Sequence, residues 1–229
     1  MLISSRQKKW QISVHNLEQK DYIKYLGIYL DKNLTWGPQI NHIRTKQSKN
    51  IGIIYKTRHY LNLQTMKHLY YTLIYPYLTY GILSWGNATK GRLSKVSTLQ
   101  NKCIRSIFFV NRRESAKPYY NLLGFLSLNN IYELKVALFG YKITFTKSLP
   151  DPFIGYVTPA SDIHSHNTRY ALQHNFFKPA TNTNYGISTF KFSLSTIWYS
   201  IPASIKNSPT YLSFKKKIKA HFLKKQMVM

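Results

Sequence analysis

Residues 69–86, LYYTLIYPYLTYGILSWG, carry no charged side chain in a chain of 229 residues whose formal net charge is +26. Such a stretch can be a membrane span, a buried core element or a surface for something flat and aromatic. Extended to residue 89 it reaches the roughly 20 residues needed to cross a bilayer, so its length permits a span. Its tyrosines argue otherwise: Tyr70, Tyr71, Tyr75, Tyr77 and Tyr80 run through the whole stretch, whereas membrane tyrosines gather at the two interfaces. Thr72, Pro76, Thr79 and Ser84 lower the hydrophobicity further. Apolar residues lie all round, which predicts a helix from about Leu63 to Leu83 that several neighbours bury, kinked at Pro76. The stretch is expected to be the centre of a helical bundle.

Its neighbours can be read outward from there. A helix opening near Pro38, a residue suited to a first helical turn, places Ile40, Ile43, Ile51, Ile54 and Leu61 on one stripe, with Gln47 and Arg58 interrupting it. A helix over about Arg92 to Val110 sets Leu93, Val96, Gln100, Cys103, Ile104 and Ile107 on one side. Arg92, Lys95, Lys102 and Arg105 fall on the other. After the loop motif LLGFLSLNN a fourth helix is expected over about Leu128 to Phe145.

Upstream of the bundle the pattern changes to that of a strand. Leu26, Ile28 and Leu30 alternate with Tyr25, Gly27 and Tyr29, DKN at 31–33 supplies a turn, and WQISVHNL at 10–17 is a candidate partner strand. From about Ser148 onward, Pro150, Pro152, Pro159, Pro179, Pro202 and Pro209 break the chain, and long regular elements are not expected there. Only SFKKKIKAHFLKK regains helical spacing, through Phe214, Ile218 and Phe222. The expected architecture is mainly α: a small antiparallel β hairpin within residues 1–36, a helical bundle over 37–147, and an irregular, Pro-rich, basic tail over 148–229 ending in a short helix.

Charge bounds the function. The 33 Lys and Arg face 7 Asp and Glu, a field that repels itself unless a polyanion sits nearby, and nucleic acid is the leading partner. Catalysis on phosphodiesters with magnesium needs clustered carboxylates. Of Glu18, Asp21, Asp31, Glu114, Glu133, Asp151 and Asp162, the one close pair, Glu18 and Asp21, reads as a solvated turn. His164 and His166 could present two imidazoles to a metal but have no nearby acid or cysteine. Cys103, the single cysteine, reads as a buried hydrophobe, and GNATKGR at 86–92 lacks the end of a phosphate loop and reads as a turn between helices. Phosphate binding, by contrast, asks only for cations and aromatic faces. Arg92, Lys95, Lys102 and Arg105, followed by Arg112 and Arg113, form the best stripe, and Lys215, Lys216, Lys217 and Lys219 a weaker run. The basic residues of MLISSRQKKW follow a very short apolar run, the reverse of a signal peptide, so a nuclear or cytoplasmic, not secreted, protein is expected.

In order and spacing, MLISSRQKK, KYLGIYLDKNLTW, LYYTLIYPYLTYGILSWG and LQNKCIRSIFF resemble the C-terminal part of reverse transcriptases of non-LTR (LINE-like, jockey-type) retrotransposons. HSHNTR, TIWYSIPASIKNS and SFKKKIKAHFL are similar to that family's closing pattern, with Tyr199 standing where Asn is usual and Leu194 where Gly is common. The resemblance implies that Lys24, Tyr25, Leu26 and Gly27 belong to the palm's last hairpin, which grips the primer strand. It also implies that the helices from Pro38 to Phe109 form a thumb holding the template–primer duplex. The family's metal-binding aspartates belong upstream of the segment that Met1 begins, and no Y/F-x-D-D motif occurs here. The expectation is therefore a truncated retrotransposon product that does not polymerise DNA by itself and binds an RNA template and DNA primer, or their hybrid. It has no cofactor or small-molecule substrate of its own, although the parent polymerase is implied to use Mg. A basic scaffolding module unrelated to copying, or a membrane-associated protein with its span at 69–89, are the alternatives.

Overall fold

In the computed structural model, which describes residues 20–146, 153, 155–163 and 168–228, the chain opens with a two-stranded antiparallel hairpin, β1 (Tyr22–Tyr25) and β2 (Ile28–Asp31). The expected single strand through residues 25–30 is thus two strands. Leu26 (φ 45°) and Gly27 (φ 79°) both adopt left-handed backbone, the geometry by which a two-residue loop matches the twist of its flanking strands. A two-residue turn preserves alternation, which is why the sequence pattern ran through it unbroken. The candidate strand at 10–17 and the histidines of HSHN lie outside the described residues.

Mostly helical structure follows. It comprises α1 (Gly37–Thr57), α2 (Leu63–Leu69), α3 (Tyr75–Thr79), α4 (Ile82–Trp85), α5 (Lys90–Ile107), α6 (Lys117–Leu123), α7 (Leu128–Tyr141), α8 (Arg169–Leu172), α9 (Asn184–Ile187), α10 (Phe190–Tyr199), α11 (Ala203–Lys206) and α12 (Tyr211–Val228). The described residues fall into two compact units. One comprises the described residues of 20–81 and 88–119, the other those of 82–87 and 120–228.

In the first unit α1 packs along α5. Ile40, Ile43, Ile51 and Ile54 face inward as their spacing requires, and Gln47 is buried among them; Leu61 lies beyond the helix end. Across from them α5 buries Val96, Gln100, Cys103, Ile104 and Ile107, and burial pushes the Cys103 thiol up to about 12, so it stays protonated. The uncharged stretch is not one kinked helix. Between α2 and α3 the helix widens into a π turn at Tyr70–Ile74, where the Tyr75 N–H donates to the Tyr70 carbonyl. Pro76 has no N–H to offer the preceding turn, and the wider turn takes up that mismatch. The helix then ends at Thr79, and the chain turns at Gly81 (φ 60°).

Nor is the stretch apolar all round once folded. Tyr70, Ile74 and Leu78, spaced four apart, are buried, while Thr72 and Pro76 are exposed and Tyr80 is 56% exposed. Tyr70 earns its buried place through a hydrogen bond in which Gln100 Nε2 donates to its hydroxyl at 2.9 Å. Among the described residues no single helix is long and apolar enough to cross a membrane, and the 69–89 stretch is interrupted at Tyr80 and Gly81.

In the second unit the central element is α7. Leu128, Ile131, Tyr132, Leu134, Val136, Ala137, Leu138 and Tyr141 are buried round the helix, which packs against α4, α10 and α12. That is the role expected of the uncharged stretch, and α7 fills it despite Glu133 and Lys135. Gly140 lets α10 approach: a Cβ there would stand 2.6 Å from the Trp198 ring. The tail is more regular than its prolines suggest, since α10 and α12 are both well formed. Phe214, Ile218 and Phe222 are fully buried, and Tyr141 stacks on Phe214 with ring centres 4.4 Å apart. Gln226 pins LLGFLSLNN to α12, accepting from the Ser127 N–H at 2.9 Å and donating to the Phe125 carbonyl at 3.1 Å.

Candidate nucleic-acid interface

Asp31 fixes the hairpin to α1. Its carboxylate accepts from the Thr35 N–H (2.9 Å), the Thr35 hydroxyl (2.7 Å) and the Trp36 N–H (2.7 Å). Burial alone would raise the carboxyl's pKa, but those hydrogen bonds together outweigh it and hold the group below its ordinary value. With Trp36 in left-handed backbone (φ 63°), helix α1 therefore starts at a defined angle from β2. A second tie runs from the Tyr29 N–H to Gln39 Oε1 at 3.0 Å.

These ties leave a cleft of about 510 Å³ beside the hairpin turn, lined by Gly27, Gln39, His42, Ile43, Pro76, Tyr77, Thr79, Tyr80 and Gly81. Tyr80 forms one wall: its hydroxyl donates to the Leu26 carbonyl, and its ring leaves 3.3 Å to any Cβ built on Gly27. Gly27 thus serves both a positive-φ turn and a close approach. The His42 ring lies tilted against that of Tyr29 (5.0 Å between ring centres), and Lys24 Nζ stands 5.8 Å from the centre of the same Tyr29 ring. Burial lowers the His42 pKa, and the charges of Lys46 and Lys24 lower it further. Among the described residues no acidic side chain lines the cleft. A neutral imidazole, tyrosine rings and two nearby cations make a pocket suited to an anionic, aromatic ligand.

Of the sequence-chosen residues, Lys24, Tyr25, Leu26 and Gly27 are exposed at the turn. On α5, Lys95 and Lys102 are exposed, but Arg92 and Arg105 are half-buried and have structural partners. The Arg92 guanidinium fills the space a side chain on Gly37 would need, with Nη1 2.3 Å from the Cβ position, and Arg105 Nε donates to the Glu114 carbonyl at 2.7 Å. Arg112 and Arg113 are exposed in the loop that Arg105 anchors. In the second unit Lys215, Lys216, Lys217 and Lys219 are exposed on α12. Lys135 is half-buried, and its pKa is lowered by burial and then by Lys215 and Lys142. Among the described residues no group of three or more His, Cys, Asp or Glu could hold a metal ion. Among the described carboxylates, Asp31 is committed to Thr35 and Trp36, Asp21 to Lys32 at 2.7 Å and Glu133 to Lys225 at 2.7 Å.

Comparison with known proteins gives the pattern a relation. The chain is 36% identical over 101 residues to the RNA-directed DNA polymerase from mobile element jockey of Drosophila melanogaster, covering 42% of the chain. It is 31% identical over 94 residues to a probable RNA-directed DNA polymerase from transposon BS of the same fly, covering 40% of the chain. The chain has homologues among jockey-type, non-LTR transposon polymerases. It spans about 10% of the length of these curated relatives. A third relative, the probable polymerase from transposon X-element, is 30% identical over 92 residues. No family model matches the chain, and no solved structure matches it significantly.

Sequence reasoning did not anticipate Gln39, His42, Lys46 or Tyr80 as site residues. Gln39 was legible in part, because a polar residue beside the buried Ile40 of an amphipathic helix needs a partner. Tyr80 was not, since its place depends on the helix ending at Thr79.

Proposed function

We propose that the chain binds nucleic acid as the thumb-side part of a retrotransposon reverse transcriptase, holding an RNA template paired to a DNA primer against the Leu26–Gly27 turn and the exposed face of α5. The observation that carries this reading is the acid-free cleft at the hairpin turn, where Lys24 and Lys46 lie close enough to perturb His42 and tyrosines supply the walls. The homology of part of the chain to RNA-directed DNA polymerases supports it. On this reading Lys95, Lys102, Arg112 and Arg113 meet phosphates, while Arg92 and Arg105 shape the surface more than they contact the ligand. The lysines of α12 add sequence-independent attraction, and the 229-residue chain alone carries out no nucleotide transfer.

The test is an anisotropy titration of the full chain with an RNA–DNA hybrid and a DNA duplex of equal length, at about 50 and 200 mM salt. Neutralising several phosphates predicts a steep fall in affinity with salt, of order ten-fold or more, and tighter binding of the hybrid. Lys95→Ala/Lys102→Ala should weaken binding and flatten the salt slope. Salt-independent binding would overturn the reading, and equal affinity for both duplexes would reduce it to a basic module without a copying role.

A further inference from the structure

At the ends of α1 and α5 in the first unit lies an aromatic surface that the duplex-binding reading does not use. The Arg58 guanidinium carbon stands 4.0 Å from the centre of the Tyr55 ring and 4.6 Å from that of Phe109. His59 meets Phe109 edge-on at 5.0 Å. The N–H groups of Arg58 are engaged with the Ser106 carbonyl and the His59 ring at 3.5 and 3.4 Å, which fixes the plane of the guanidinium between neighbouring aromatic groups. Tyr55 is 53% exposed, Phe109 54% and Tyr60 87%.

Burial therefore does not explain these rings. Phe109 sits in left-handed backbone (φ 57°), a conformation that bulky residues rarely adopt, and there its ring is half in solvent. Around the patch positive charge predominates: Lys56, Arg112 and Arg113 are exposed nearby in the chain, against one exposed acid of that loop, Glu114, whose backbone carbonyl accepts from Arg105. A helix-end arginine complementing carbonyl groups accounts for Arg58 alone. It does not account for two half-exposed rings whose centres lie within 5 Å of that guanidinium.

We infer that Tyr55, Arg58 and Phe109 form a stacking platform for unpaired bases of single-stranded RNA or DNA, with Arg112 and Arg113 drawing in the backbone. Every base has a π face, so the platform is tolerant of sequence, and the preset guanidinium supplies a cation–π contribution without further ordering. This rests on the nucleic-acid reading but adds a different ligand form, because stacked bases inside a duplex are not available to such a surface. It assigns the chain a second grip, on single strand, apart from the hairpin cleft.

The experiment compares a base-bearing single-stranded 12-mer, an abasic 12-mer of equal charge and an RNA–DNA hybrid, each titrated with the full chain and with Tyr55→Leu/Phe109→Leu. Both positions are exposed and remain apolar, so the variant should fold, and circular dichroism checks this. The wild type should prefer the base-bearing strand over the abasic one by about five-fold or more, the size of one base–aromatic stack. The variant should lose that preference and keep its hybrid affinity. Equal wild-type affinity for base-bearing and abasic strands would overturn the platform, as would a preference that survives in the variant. Failure of hybrid binding alone would strike the duplex reading and leave this one standing.

Discussion

Residues 69–86 and helix α7 exchange the roles that their compositions suggest. The first has no charge and lies half in solvent, with Tyr70, Ile74 and Leu78 buried and Thr72 and Tyr80 outside. The second contains Glu133 and Lys135 and is buried on nearly every side. Tyrosine explains the first case: a ring with a hydroxyl is stable half-exposed, and the hydroxyls of Tyr70 and Tyr80 find Gln100 and the Leu26 carbonyl. Ion pairing and side-chain length explain the second, because Glu133 meets Lys225 at 2.7 Å at the edge of the packed surface. Absence of charge therefore marks where a helix need not face water, not where it does not.

The sharpest way to break this comparison is to place a lysine on each segment. Val136→Lys puts an unpaired cation where exposure is 0% and should destabilise by about 4 kcal/mol or more, enough to unfold a marginal domain. Thr72→Lys, on the exposed side of the π turn, should change stability by no more than about 0.5 kcal/mol. Urea denaturation followed by circular dichroism measures both. A large loss from Thr72→Lys would restore the uncharged stretch to the core.

Lys206 is the converse case, a lysine fully buried in the second unit. Its Nζ donates to Asn175 Oδ1 at 2.7 Å and lies 5.5 Å over the Trp198 ring, while Trp198 donates to the His174 carbonyl at 2.8 Å. Desolvation pulls its pKa down from 10.5 to about 8. The sign follows from which state holds more protons. Between pH 8 and 10 the unfolded chain keeps Lys206 protonated while the folded chain releases the proton, so this group's contribution to stability rises with pH and is lost as pH falls through 8. The stability difference between wild type and Lys206→Met should therefore shift in favour of the wild type from pH 7.5 to 9.5. A flat difference would mean that the ammonium is as well solvated inside as outside.

Helical spacing made α1 and α5 of the first unit and the inward stripe of α12 in the second legible: they lie where their isoleucines and phenylalanines place them. The basic face of α5 was equally readable as a face, but not the use of its members. Arg92 is occupied because Gly37 has no side chain, and Arg105 because a loop carbonyl comes within reach, and both facts depend on contacts distant in sequence. The hairpin turn was hidden for a related reason, since Leu26 in left-handed backbone is an uncommon choice and the alternation passes through a two-residue loop unchanged. Hardest to read was the cleft, which needs the helix to stop at Thr79 before Tyr80 can reach Leu26.

Two glycines carry the same contrast between packed and open helix. At Gly140 an added Cβ meets the Trp198 ring at 2.6 and 3.0 Å and Leu194 at 3.2 Å. The indole is itself fully buried and hydrogen-bonded, so it cannot swing aside. Alanine's better helix propensity is outweighed there, and Gly140→Ala should cost about 1–3 kcal/mol. At Gly52, in the middle of α1, no atom lies within 4 Å of the Cβ position, so only the backbone term remains. Gly52→Ala should stabilise by about 0.5–1 kcal/mol. Thermal melts of the two single variants decide the matter, since opposite signs are expected from one substitution. If Gly52→Ala destabilised the chain, the exposed face of α1 would have to be covered by something that packs against it.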